Sequence, residues 1–137
     1  MLLDDIYTYL TSFGVLLPIA PSTSPWVMYE SYIPDDQDQM IALYDTGGMP
    51  FDTLSRVNER RTFQTRVRGS RLDYNTAFNK WKQIFDLLQD AQQTTGSPIL
   101  LSGYFFIQCM HSGPMAFNDD LGRPNLISNW KVYKVRS

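Results

Sequence analysis

Phe63-Gln64-Thr65-Arg66-Val67-Arg68-Gly69-Ser70-Arg71-Leu72-Asp73-Tyr74 changes its period halfway along. Up to Arg68 the side chains alternate, with Phe63, Thr65 and Val67 on one face and Gln64, Arg66 and Arg68 on the other, as in a strand with one face in a core. After Gly69 the alternation stops. Asp73 is placed to cap a helix, and Tyr74, Ala77, Phe78, Trp81, Ile84, Phe85 and Leu88 recur in steps of three and four. A strand followed at once by an amphipathic helix decides the fold class, because the helix must lay its apolar stripe on the apolar face of a sheet. The helix is expected to end near Gln92, since the residues from Thr94 to Pro98 are turn material.

Working outward, Leu2, Leu3, Ile6, Tyr7, Leu10 and Phe13 have helical spacing, with Asp4 and Asp5 in the first turn and Gly14 as a stop, so residues 2 to 13 read as a helix. Pro18, Pro21 and Pro25 mark a loop, after which Trp26 to Tyr32 is rich in strand formers. Met40 to Tyr44 is a near-continuous apolar run and suits a central strand buried on both faces of the sheet. Residues 46 to 60 hold Gly47, Gly48, Pro50 and charges without a period and read as a long loop, of a length that is often functional. Ile99 to Met110 reads as a strand, Asn118 to Pro124 as a hairpin turn and Leu126 to Val135 as the last strand. The order is helix, three strands, helix, three strands. It gives an α+β fold with two helices on a mostly antiparallel, mixed sheet of about five to six strands, expected to form one domain over residues 1 to 137.

With 43% hydrophobic and 19% charged residues the chain cannot be largely disordered. A net charge of -2 argues against a dedicated nucleic-acid binder, which needs an overall basic surface. The lone cysteine, Cys109, excludes an intramolecular disulfide and fits a reducing compartment. Asp4 and Asp5 stand where an export signal needs basic residues, and the longest apolar run, Val15 to Ala20, is far short of a bilayer span. A soluble protein without membrane partners is expected.

Nothing in the sequence marks an enzyme. Cys109 and the single histidine, His111, are two apart, but no acid with an evident claim to orient the imidazole follows, and a cysteine of this kind usually serves as a small buried hydrophobe. Ligands for structural zinc are too few. Asp35, Asp36 and Asp38, and again Asp119 and Asp120, lie in turns that lack a calcium-loop pattern, and Gly47-Gly48 lacks the phosphate-loop ending. No catalytic, cofactor-binding or metal-binding residue is assigned.

The arginines are more informative. Arg56, Arg60, Arg61, Arg66, Arg68 and Arg71 are half of the chain's 12 basic residues, gathered in one short stretch of an acidic protein. They fit a solvated strand face, a phosphate contact, or a protein interface in which guanidiniums pair with carboxylates. The interface reading adds Asp119 and Asp120 as acids that an adjacent copy would offer, since head-to-tail complementarity of this kind builds rings.

The pattern FQTRVRGSRLDYNTAFNKWKQIFDLL resembles the tail terminator proteins of long-tailed bacteriophages, also labelled minor capsid or tail completion proteins. The opening MLLDDIYTYLTSFG resembles that family's first helix, and Ile41 to Pro50 resembles its second-strand segment with a Gly-Gly-x-Pro turn. The resemblance covers about half of the chain, all before residue 93. It implies a structural subunit, without cofactor or catalysis, that forms a ring, commonly a hexamer, on the head-proximal end of the tail tube. Such a ring ends tube polymerisation, meets the head connector or head-completion protein, and lets DNA pass through it. It belongs to the virion tail or neck and, during assembly, to the host cytoplasm. By the same analogy residues 46 to 60 and the arginine strand face neighbouring subunits or the tail tube protein, and the hairpin at 119 to 123 docks on another ring. The rivals are a head-completion or neck adaptor and, from other classes, a small metal-dependent hydrolase using His111 or a nucleic-acid-binding accessory protein.

Overall fold

The structure is a computed structural model that describes residues 2–19, 23–50, 58–89, 104–110 and 113–135. In chain order it contains α1 (Leu2–Ser12), β1 (Val27–Glu30), β2 (Met40–Pro50), β3 (Asn58–Arg68), α2 (Tyr74–Leu88), β4 (Tyr104–Cys109), β5 (Met115–Asn118) and β6 (Pro124–Val135). The strands form one sheet in the order β1-β2-β3-β6-β4, with β5 pairing β6 beside the path. All pairings are antiparallel except β1 with β2, so the sheet is mixed and the fold is α+β, as the sequence implies.

The register explains the two faces. Val67 lies opposite Leu126, Thr65 opposite Ser128 and Phe63 opposite Trp130, while Ile41 and Leu43 face Val67 and Thr65 from the other side. All of these are buried and form one face of the sheet. The stripe on α2 lies over it through Ala77, Trp81, Ile84 and Leu88, and α1 adds Leu2, Leu3, Ile6, Tyr9 and Leu10. Phe63 stacks on Trp130 at 6.2 Å, and Phe85 and Trp81 continue the aromatic packing upward into α2.

Two hydroxyls sit in this apolar layer for a reason. The indole N–H of Trp130 donates to Thr65 Oγ1 at 2.9 Å, and that of Trp81 donates to Ser128 Oγ at 2.6 Å. The directly opposed pair Thr65 and Ser128 therefore satisfies two buried donors that would otherwise cost stability.

Asp73 caps α2 as expected, its carboxylate accepting from the Thr76 N–H at 3.2 Å. Glycine at 69 is required by space, because a Cβ there would lie 2.8 Å from Ala77 Cβ and 3.0 Å from the Asp73 carbonyl oxygen. α2 ends at Leu88, short of the expected Gln92, and α1 at Ser12. Tyr9 takes the buried place that helical spacing suggested for Tyr7 and Phe13, and its hydroxyl donates to the Leu87 carbonyl at 2.8 Å, tying α1 to α2.

The long loop expected at 46 to 60 is replaced at both ends by strand: β2 runs on to Pro50, and β3 begins at Asn58. Residues 51–57, with Arg56, lie outside the described residues. The reason is a bulge. The register shifts between Asp45 and Gly47, Gly47 holds φ +95°, and its N–H donates to Asp45 Oδ1 at 2.8 Å, so a glycine that reads as a loop signal instead lets the strand continue. The strand expected at 99 to 110 is described from Tyr104 onward, and His111 lies outside the described residues. Among the described residues no helix is long and apolar enough to cross a membrane.

Candidate interaction surface

Among the described residues the opposite face of the sheet carries no helix. Its rows follow from the same register: Met40, Arg68, Asn125 and Phe117 form one row, and Ala42, Arg66, Ile127 and Met115 the next. The connection from β1 to its parallel neighbour β2 crosses this face, and arginines hold it there. Arg68 does not reach solvent. It is 3% exposed, and its guanidinium donates to the carbonyl oxygens of Pro34, Gln37 and Asp38. Burial, and then the neighbouring charge of Arg123, pull its pKa below the ordinary arginine value. This corrects the expectation of an outward Arg68: the side chain is a post inside the chain, because residues 34–38 fold back over it.

Arg123, which sequence reasoning passed over, is the second post. Its Nη1 donates to the Asp35 carbonyl at 2.7 Å, its Nε to Asp119 Oδ2 at 2.8 Å, and Asp38 Oδ1 lies 3.4 Å away. Burial alone would raise the Asp119 pKa. The N–H groups of Arg123 and Leu121 and the Arg123 guanidinium outweigh that and hold the carboxyl below the ordinary aspartate value. The available signal was an Asp and an Arg four apart around Gly122, whose φ of +74° closes the turn of the hairpin between β5 and β6.

The hairpin tip is docked on its own chain: Gly69 N–H donates to the Pro124 carbonyl and Leu72 N–H to the Gly122 carbonyl, at 3.0 and 3.1 Å. The Arg71 stem lies against Gly122, and Leu72 and Leu121 stand exposed beside it. Between the tip, β3 and the crossing segment lies a groove of about 440 Å³ lined by Arg66, Asp35, Phe117, Asp119, Asp120 and Arg123, among others. Four of the residues singled out from sequence, Arg66, Arg68, Asp119 and Asp120, thus meet in one place. Arg61 stands apart, at the bulge, paired with Asp45 at 2.6 Å. Arg60 lies on β3 between Met49 and Tyr133 in register.

This fold, an open face held by arginines and a hairpin with exposed apolar residues, has relatives. The sequence matches the bacteriophage tail terminator protein family over residues 9–120. The chain belongs to that family. The terminator chain is thereby a structural protein of a phage-like virion tail. A chain from the virion of a native gene transfer agent particle has the same fold, with a TM-score of 0.68 and 12% identity over 96% of this chain and 92% of that one. A second solved chain follows at a TM-score of 0.52 and 16% identity, covering 98% of this terminator and 89% of its own length. At these identities the likeness is one of fold. No curated protein matches the sequence.

Proposed function

We propose that this terminator, acting as one domain over its whole length, assembles as a ring of six on the head-proximal end of the tail tube, ends tube polymerisation there and offers its outer surface to the head connector. The observation that carries the reading is the family match over residues 9–120. Two surface features support it. Leu72, Met115, Phe117 and Leu121 are exposed around the hairpin, apolar residues of the kind that a neighbouring chain covers. Arg66 and Arg71 stand beside them, Arg61 joins the set from the bulge, where it pairs with Asp45, and Asp36 and Asp120 stand exposed as acids for a neighbouring copy. Arg56, Arg60 and Asp119 complete the proposed interface set. Arg68 leaves it, since its donors are spent on residues 34–38. DNA passes through the ring without being read.

The test is the mass of the purified chain by light scattering, alone and with tail tube protein, from micromolar to near-millimolar concentration and in low and high salt. A closed ring near six subunits that high salt loosens is the expected result. A strict monomer in every condition, tail tube protein included, overturns the reading.

A further inference from the structure

Among the described residues β5 is an edge strand whose one protection is its shortness. Its four residues, Met-Ala-Phe-Asn, contain no charge and no proline, all four are exposed, and among the described residues it pairs only with β6. Met115 and Phe117 are 45% and 46% exposed on the open face of the sheet. Natural edges are blunted by lysine, proline or a bulge when nothing is meant to pair with them.

Beside this edge lies a cation that has no counter-ion among the described residues. Arg66 starts on β3, opposite Ile127 of β6 and in the row that ends at Met115. Its side chain crosses β6, so that the guanidinium carbon lies 5.8 Å from the centre of the Phe117 ring. Its Nε is buried with no hydrogen-bond partner, and no described carboxylate pairs with it. Of the hairpin acids that line the same groove, Asp119 is already engaged by Arg123 and by two backbone N–H groups.

We infer that the free edge of β5 and the groove beside it take an extended strand of a partner protein, which adds to β5 through its backbone and sets a carboxylate side chain on Arg66. Strands in a sheet lie about 4.8 Å apart, so an added strand stands one step beyond Phe117, within reach of a guanidinium that has already crossed to that ring. Backbone pairing supplies affinity, and the side chain entering the groove supplies choice. A carboxylate fits better than a phosphate, because Asp35, Asp119 and Asp120 line the same groove and repel a dianion. The inference rests on the reading of the chain as an assembly subunit only in making the partner a protein of the particle.

The probe is the peptide acetyl-Thr-Val-Glu-Val-Thr-amide, titrated to millimolar concentration into the full chain labelled with nitrogen-15, beside the same peptide with Gln for Glu. The expected result is that the amides of residues 115–118 and the Arg66 Nε–H resonance shift together. The Gln peptide then binds about tenfold more weakly, and Arg66→Gln erases that difference while the β5 shifts persist. Arg66→Lys, which keeps the charge without the fork, recovers part of it. Unmoved β5 amides overturn the inference. So does inorganic phosphate that moves Arg66 as far as the peptide does, or β5 amides that move with protein concentration alone, which would give the edge to a second copy. Light scattering on the same samples reads ring formation separately, so this inference and the ring reading fail independently.

Discussion

The two faces of the sheet solve the same problem, the burial of polar groups, with different chemistry. Within the sheet layer under the helices Thr65 and Ser128 accept from Trp130 and Trp81, so these two contacts are neutral and surrounded by aromatic rings. On the open face Arg68 and Arg123 donate to the backbone of residues 34–38 and to Asp119, and the contacts are charged. The first face depends on packing, which tolerates no loss of volume. The second depends on charge placement, which leaves the Arg66 guanidinium, among the described residues, without a carboxylate beside an exposed edge.

The comparison is tested hardest by removing one member of each face. Trp130→Ala deletes a fully buried ring packed between Phe63 and Phe85 and is expected to cost about 3–5 kcal/mol of unfolding free energy in urea. Arg68→Met keeps most of the volume but leaves three carbonyl oxygens without their donor. A loss of about 2–3 kcal/mol is expected, together with faster proteolysis confined to residues 31–39. Were Arg68→Met neutral and the segment equally resistant, the open face would not be held by this post.

The faces also differ in where pH acts. Lys80 of α2 is fully buried and donates to the carbonyls of Val15 and Leu17 and to Gln83 Oε1, and burial lowers its pKa to about 8. Its folded pKa lies below its unfolded one, so between about 8 and 10.5 the folded chain holds fewer protons and stability rises with pH. Lys80→Met should flatten that rise. Burial raises the Tyr9 pKa, so its contribution to stability declines as pH rises from the ordinary value of 10.0 toward the raised folded value, and the Lys80 slope is best read below 10.0. On the open face the Asp119 pKa is depressed. Its contribution is complete above the ordinary carboxylate range and is lost as pH falls through the folded value, so Asp119→Asn should flatten the acid limb alone. Urea midpoints followed across pH measure both limbs.

The sequence made the helix-covered face legible because that face is periodic. Phe63, Thr65 and Val67, the α2 stripe and the Asp73 cap are local patterns, and the hairpin at 119 to 123 has its own turn residues. The open face depends on contacts distant along the chain. Arg66 and Arg68 have the same spacing and the same chemistry, and only the return of residues 34–38, some thirty positions earlier, turns one of them inward. Lys80 falls between Ala77 and Trp81 on the stripe, and a charge there is discarded by any reading that looks for apolar steps. The parallel pairing of β1 with β2 left no local mark either, since a crossing segment of turn residues looks the same in any topology.

The smallest expected effect lies where the two faces meet solvent alike. Arg61 and Asp45 pair at 2.6 Å across the bulge, yet their side chains are 32% and 33% exposed, so water screens much of the attraction. Asp45 also accepts from the Gly47 N–H, and the Arg61 Nε donates to the Gly47 carbonyl at 3.3 Å, so the pair fixes a local shape as well as a charge. Arg61→Gln should therefore change the urea midpoint by no more than about 1 kcal/mol equivalent. Amide exchange at residues 45–48 should quicken even so, while that at residues 63–68 stays unchanged. A larger global loss would make the bulge part of the core's cooperative unit, and the division between a packing-governed face and a charge-governed face would have to be redrawn at β2.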